Sequence, residues 1–176
     1  NSVSKIGVGA FFGCRSLNIT KLPSSLKVIE MQSFAGTAIV SLDISGIEAI
    51  YNQAFWGTTT LTTIKNPDSL KTVGSYAFGS LLQGEASNAT AWLRNTSEVS
   101  TWGNKEGAKV TYLGDVLVYV SPVGIGTKPL PIYVKSTTKT IAGQAFSDID
   151  NAMAYFIGTT PPTYGTNAFG GMSEPT

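Results

Sequence analysis

The sequence contains no histidine, only one cysteine and no long apolar run, and each shortage excludes a class of protein. Without histidine, a His-dependent catalytic triad, an imidazole base and histidine-ligated zinc are all excluded. Cys14 alone forms neither an intrachain disulfide nor a multi-thiolate metal site. No stretch approaches the roughly 18 unbroken apolar residues of a membrane span. We therefore predict that this chain does not itself insert into a membrane.

Charged residues are also scarce, at 13% of the 176 residues, against about 25% in an average domain. The net charge of +1 gives no strong field of one sign, so binding to nucleic acid is not expected. The chain has 18 serines and 21 threonines in place of the missing charges. With 42% hydrophobic residues it can bury a core, which predicts a neutral, hydroxyl-rich globular protein.

A short pattern recurs along the chain and sets its organisation. It consists of an aliphatic residue, three variable residues, a small residue and a phenylalanine, with successive phenylalanines 21 or 23 residues apart over residues 11–78. A fixed period of this length is typical of repeat architectures. The pattern ends at Phe11, Phe34, Phe55, Phe78 and Phe146, with a weaker sixth copy ending at Phe169.

A second pattern begins five or six residues after each of the first three phenylalanines, at Leu17–Leu26, Ile39–Ile47 and Leu61–Leu70. Its Leu-x-x-Leu-x-Leu spacing places the last two apolar residues at a period of two, which predicts a short strand with one buried face. A unit of about 23 residues cannot enclose a core alone, whereas stacked copies place leucine over leucine and phenylalanine over phenylalanine. The two patterns together predict a solenoid.

The compound pattern resembles the BspA-type (Treponema-type) leucine-rich repeat. The resemblance rests on the period, on the phrase Leu-x-x-Thr-x-Leu-Pro-x-x-Leu-x-x-Ile at Leu17–Ile29 and on Ala10–Cys14. It covers residues 3–80 closely and 137–172 more loosely. It implies a leucine-rich-repeat solenoid, mainly β with short helical turns, wound as a right-handed superhelix with a parallel sheet on one wall. It also implies an exported bacterial protein, secreted or at the cell surface, that binds host proteins or other cells.

The repeat pattern is interrupted between Gly79 and Ser136. Within this interval, Lys109–Leu113 and Val116–Val120 alternate in polarity around Gly114-Asp115. Alternating segments on either side of a glycine-containing turn predict a β-hairpin. The insert therefore has structure of its own.

A further extended run, Leu130–Lys135, leads into the returning repeats. We divide the chain into leucine-rich repeats at 1–80, an irregular insert with the hairpin at 81–136, and returning repeats at 137–176. One continuous solenoid with a modified middle is favoured, and two short solenoids joined by a linker are the alternative. Because neither end carries an obvious polar cap, the natural protein is expected to continue on at least one side.

Three features that suggest small-ligand or metal chemistry have simpler explanations. Gly7 and Gly9 resemble a dinucleotide-binding turn, but other repeats carry side chains at these positions, which predicts ordinary turn residues. Asp148 and Asp150 could bind calcium or act as paired carboxylates, although a solvated turn is favoured. Cys14 is predicted to be a small thiol in the core, with oxidative dimerisation as the alternative. No cofactor and no metal are expected.

The strand residues that face outward form the predicted binding surface. They are short, polar and mixed in charge, which suits a broad contact surface better than a deep pocket. The leading hypothesis is a non-enzymatic recognition module that binds a protein partner through this face of the solenoid, in adhesion or host interaction. The residues are Lys21, Ser41, Asp43, Thr63 and Lys65.

Two other functions remain open. Trp92 and Trp102 lie in a polar segment and could stack on sugar rings, which would make the chain a carbohydrate-binding accessory region of a larger surface protein. The same tryptophans could instead cover the hydrophobic groove of the solenoid. The second function that remains open is that of a passive structural spacer. An enzyme is not expected, because the acids are scattered and no coherent nucleophile–base pair is present.

Overall fold

The computed structural model describes residues 2–79, 99–100, 109–121, 130–147, 149, 152–170 and 172. These residues form short strands joined by tight turns, which confirms the predicted solenoid with parallel sheets. The strands are β1 (Lys5–Ile6), β2 (Val28–Ile29), β3 (Ser41–Asp43), β4 (Ala49–Ile50), β5 (Thr63–Lys65), β6 (Thr72–Val73), β7 (Val99–Ser100), β8 (Lys109–Leu113), β9 (Val116–Ser121), β10 (Leu130–Val134), β11 (Thr140–Ile141), β12 (Ala152–Phe156) and β13 (Thr163–Tyr164). A short 3-10 helix at Pro67–Ser69 is the helical segment whose bounds fall within the described residues.

Four two-residue strands stack in parallel along one wall, in the order β1-β2-β4-β6. Their register places Ile6, Ile29, Ile50 and Val73 in one column. The last three of these side chains are buried. The aliphatic residue of the first sequence pattern therefore forms a continuous line in the core. We call the four strands, with the residues that immediately precede them, the short-strand wall.

The phenylalanines of the same pattern form a second line in the core. Phe34, Phe55 and Phe78 are almost fully buried, and the rings from Phe11 to Phe78 are within 10° of parallel. Each ring contacts the rings of the turns before and after it, so the stack links neighbouring repeats. The ring centroids are 5.3 Å apart for Phe11–Phe34, 5.5 Å for Phe34–Phe55, 5.4 Å for Phe55–Phe78 and 5.1 Å for Phe146–Phe169.

The turns that carry these phenylalanines need a left-handed backbone two residues earlier. Gly9 occupies this position with φ of 61° and is a turn residue, as predicted. Residues other than glycine adopt this conformation uncommonly, yet the other turns place larger side chains there. The side-chain amides of two of them are hydrogen-bonded, with Gln32 Nε2 donating to Gln53 Oε1 at 2.9 Å. The left-handed positions are Gln32, Gln53, Tyr76, Gln144 and Asn167.

The predicted hairpin is confirmed: β8 and β9 pair antiparallel around Gly114, whose φ is 57°. A bulge between Thr111 and Tyr112 shifts the register of this pair. Strand β9 also pairs in parallel with β11, and β11 with β13, while β10 pairs in parallel with β12. The hairpin is thus part of the sheet that the returning repeats form.

The returning repeats contact the first repeats directly. The Gly143 amide donates to the carbonyl of Val73 at 3.2 Å, and Thr140 Oγ1 donates to the carbonyl of Lys71 at 2.9 Å. Contacts of this kind are expected for a continuous solenoid. The limits proposed for the insert stay a prediction, because residues 80–98 and 101–108 lie outside the described residues.

The prediction of a buried thiol at Cys14 was wrong, because this residue is exposed. Its position in the repeat is nevertheless an inward one. Thr37 and Thr58 follow their phenylalanines by three residues, as Cys14 does. Both are buried and hydrogen-bonded to the carbonyl of Phe34. Cys14 belongs to the first described turn, so described residues cover it on one side only. The repeat pattern indicated the right direction of the side chain but not its exposure.

We expect Cys14 to react with a thiol reagent such as dithionitrobenzoate in the native protein. An exposed thiol needs no unfolding to be reached, so the rate should approach that of the denatured chain. Absorbance at the reagent's product band measures this, and Cys14→Ser serves as the control. Reaction only after denaturant is added would contradict the exposed position.

Candidate functional site

Two columns of side chains run across the outward face of β3 and β5. The register places Ser41 beside Thr63 and Asp43 beside Lys65, and a bridge joins Lys21 to Asp43. The structure therefore brings the five predicted binding residues of the strands together on one surface. Their role in binding stays a prediction.

The outward direction of these residues follows from the alternation along each strand. Leu42 and Ile64, at the centres of β3 and β5, are buried at 0% and 2% exposure. Their neighbours therefore point away from the core: Lys65 is exposed, and Ser41, Asp43 and Thr63 are partly exposed. Lys21 is exposed beside the buried Leu22.

Asp43 is held in place by its own chain. Its Oδ1 atom accepts hydrogen bonds from the Ser45 amide at 2.9 Å and from Asn66 Nδ2 at 3.0 Å. These bonds, with that from Ser45 the stronger influence, hold the pKa of Asp43 below its ordinary value, and the charge of Lys21 adds a smaller effect. Asn66 follows β5 directly, so the carboxylate ties one turn of the solenoid to the next. The sequence pattern points to Asp43 but not to Asn66, which stands where the two earlier copies have Leu22 and Ile44.

We expect Asp43→Asn to make the fold less sensitive to acid. A carboxyl group whose pKa is lowered on folding stabilises the folded state above its unfolded pKa of about 4, and this stabilisation is lost as the pH falls through the folded pKa. Thermal unfolding measured between about pH 7 and pH 2 should therefore show a steeper loss of stability below about pH 4 in the wild type than in the variant. Parallel curves for the two proteins would contradict this role of Asp43.

Strands β10 and β12 carry a similar face with aromatic side chains. Like β3 and β5, they lie just before the short strands of their turns, and they pair in parallel. Ile132 is buried, so the alternation turns Pro131 and Tyr133 outward. The register places these two beside Met153 and Tyr155 of β12.

This aromatic set was missed by sequence analysis. Tyr133 and Tyr155 stack with ring centroids 5.3 Å apart, and Met153 and Tyr155 are 47% and 42% exposed. The available signal was the alternation of Pro131, Tyr133 and Lys135 with buried residues between them. We call the outward faces of β3, β5, β10 and β12, together with Lys21, the strand wall. Strands β3 and β5 form one two-stranded sheet of it, and β10 and β12 form another.

Residues that immediately precede the short strands form ion pairs instead. Glu48 lies between Lys27 and Lys71, with N···O distances of 3.6 and 2.7 Å. The hydrogen bond from Lys71 is the main reason that the pKa of Glu48 is lowered. Lys139 and Asp115 pair at 2.6 Å in the same positions of later turns. Each of these lysines pairs with a carboxylate, whereas Lys21 and Lys65 of the strand wall form no ion pair within the described residues.

An apolar groove lies beside the last described turn. Phe156, Pro161, Tyr164 and Phe169 are among the residues that line it, and Tyr164 is 71% exposed. The phenylalanine stack ends at Phe169 within the described residues, so this groove is the open edge of the stack. None of its lining residues is among the five that the sequence singled out on β3, β5 and at Lys21.

Within the described ranges, no group of three or more Cys, Asp or Glu side chains is placed to hold a metal ion. Trp92 and Trp102 lie outside the described residues, and so do Asp148 and Asp150. The sugar-stacking role of the tryptophans and the solvated turn at the aspartates stay predictions.

One comparison with known proteins identifies the repeats. A family model described as "BspA type Leucine rich repeat region (6 copies)" matches residues 1–90, about half of the chain. No curated protein and no solved structure matches the chain. No helix in the described part of the chain has the length and apolar character needed to cross a membrane. Solenoids of this repeat type are typically non-catalytic and generally surface-associated. The chain belongs to the BspA-type leucine-rich repeat family.

Proposed function

We propose that the chain is a non-enzymatic recognition module, secreted or exposed at a cell surface, that binds a protein partner in adhesion or host interaction. The observation that carries this proposal is the strand wall, where the side chains of successive turns line up in outward-facing columns. A partner that lies across these columns contacts several repeats at once.

The composition of the strand wall suits a protein partner. Tyrosine and methionine are enriched in protein interfaces, where their side chains supply most of the apolar contact. Tyr133, Tyr155 and Met153 offer such side chains on β10 and β12. Ser41 and Thr63 are short, so they leave the polar part of the wall open to a broad, flat contact.

The short-strand wall is the weaker candidate for a binding surface. Its charged residues Lys27, Glu48 and Lys71 already contact one another. A partner carboxylate that bound these lysines would compete with Glu48 for them. The strand wall carries no comparable cost at Lys21 and Lys65.

Biolayer interferometry of the chain against a panel of extracellular-matrix proteins and glycans tests the proposal. Two variants change the strand wall: Lys21→Ala/Lys65→Ala and Tyr133→Ala/Tyr155→Ala. A matched control, Lys27→Ala/Lys71→Ala, removes the same charge from the short-strand wall. We expect binding to at least one protein, weakened about tenfold or more by each strand-wall variant and little changed in the control.

Equal loss of binding in the control and the strand-wall variants would contradict the assignment of the surface. Binding to glycans alone would replace the proposal with the carbohydrate-binding alternative, in which a Trp92→Ala/Trp102→Ala variant should lose the signal. No binding across the panel would favour the structural spacer.

A further inference from the structure

The lysines of the first repeats differ in whether they form an ion pair with a carboxylate. Those beside the short strands pair with glutamates at N···O distances of 2.7–3.6 Å. Lys21 and Lys65, on the strand wall, are exposed, and neither forms an ion pair within the described residues. The paired lysines are Lys5, Lys27 and Lys71.

The carboxylate that lies between the two unpaired lysines is already engaged. Asp43 is the register neighbour of both Lys21 and Lys65. Its Oδ1 atom accepts hydrogen bonds from the Ser45 amide and Asn66 Nδ2, both within 3.0 Å. This column therefore has two cations and one anion, the same balance as Lys27, Glu48 and Lys71. It differs because its anion is hydrogen-bonded to Ser45 and Asn66 rather than to the lysines.

The two lysines have a defined separation. They lie two strands apart in a parallel ladder, which places their backbones about 10 Å from each other. Ser41 and Thr63, in the adjacent column, are too short to cover them. A partner can therefore reach both ammonium groups from solvent without displacing another side chain.

We infer that the strand wall recognises an acidic protein surface, on which two carboxylates about 10 Å apart pair with Lys21 and Lys65. The inference rests on the proposed function and names the chemistry of the partner. Side-chain carboxylates two turns apart on a helix have this spacing. The stacked tyrosines of β10 and β12, Tyr133 partly exposed and Tyr155 exposed, would contact the apolar part of the same partner.

Other polyanions fit these observations less well. Nucleic acid carries a phosphate about every 3.4 Å along each strand and is usually bound by many cations. The strand wall offers two unpaired lysines among its first strands, with the anionic Asp43 between them. The overall charge of the chain is +1, so no wider positive field supports such binding.

The test measures binding of poly-L-glutamate, heparin and single-stranded DNA to the intact chain at low ionic strength. Lys21→Gln/Lys65→Gln is compared with Lys27→Gln/Lys71→Gln, which lowers the net charge equally, and circular dichroism checks the fold of both. We expect poly-L-glutamate to bind best. Its Kd should rise about tenfold in the first variant and less than about twofold in the second.

An equal rise in Kd for both variants would overturn the inference, as would absent binding of poly-L-glutamate or stronger binding of heparin or DNA. The proposed function can fail or stand independently of this inference. A matrix protein whose binding needs Tyr133 and Tyr155 but not Lys21 and Lys65 would overturn the acidic partner and keep the recognition module.

Discussion

Phe55→Ala is expected to lower the free energy of unfolding by about 3–5 kcal/mol. Phe55 is fully buried, and its ring stacks on Phe34 at 5.5 Å and on Phe78 at 5.4 Å. Removing it therefore leaves a cavity and weakens the interfaces with two neighbouring turns at once, on which the stability of a repeat protein depends. Urea unfolding followed by circular dichroism measures the change.

Phe12→Ala is the matched control for this prediction. Phe12 has the same side chain but is 62% exposed, so its loss should change the unfolding free energy by no more than about 0.5 kcal/mol. Phe55→Leu, which keeps most of the volume, should fall between the two. A similar effect of Phe12→Ala and Phe55→Ala would contradict the stacked core.

Gly74→Ala is expected to destabilise the fold by about 1–3 kcal/mol, because the turns approach each other too closely for a side chain there. A Cβ atom at Gly74 would lie 2.6 Å from the amide nitrogen of Asn52 and 2.8 Å from the carbonyl carbon of Tyr51, and it would also meet Asn52 Oδ1. Two of these atoms belong to the backbone, so the turns would have to move apart. The shift in the urea midpoint measures the cost.

The control is Gly7→Ala, at the same position of the first described turn. No described atom lies within 4 Å of a Cβ atom built on Gly7. Alanine should therefore be neutral there, or stabilise slightly by restricting the unfolded chain. Destabilisation by Gly7→Ala as large as that by Gly74→Ala would show that the cost does not come from contact between turns.

Much of the fold follows from the spacing of apolar residues along the chain. A residue that recurs at the same place in each repeat must meet its copies when the repeats stack. Ile29 over Ile50 and Phe34 over Phe55 could therefore be predicted without a structure. The same reasoning predicts that Asp43 and Lys65 lie side by side, since they flank buried residues at equivalent places.

Contacts that depend on side-chain chemistry rather than on position could not be predicted in this way. Asn66, which donates a hydrogen bond to Asp43, stands at an apolar position of the pattern. The repeat therefore gave no reason to expect this bond. The stacked pair of Tyr133 and Tyr155 lies where the repeat spacing departs from the earlier copies. Exposure at Cys14 depends on which neighbours cover a turn, which the repeat pattern alone does not specify.

The difference between the two walls also needed coordinates. The order of charges along the chain shows alternating lysines and acids, but not which of them meet. Lys71 reaches Glu48, whereas Lys65 reaches no described carboxylate. One surface has lysines in ion pairs, and the other has lysines with no ion pair among the described residues; this difference is the basis of the proposed recognition.

Recognition by the strand wall is tested most directly by lysine acetylation. The free chain is compared with the chain bound to the matrix protein that it binds most tightly. Mass spectrometry reports each lysine separately, and Lys27 and Lys71 serve as internal references for Lys21 and Lys65. Our account predicts that the partner slows acetylation of Lys21 and Lys65 and leaves Lys27 and Lys71 unchanged. Protection of Lys27 and Lys71, with Lys21 and Lys65 as reactive as in the free chain, would contradict it.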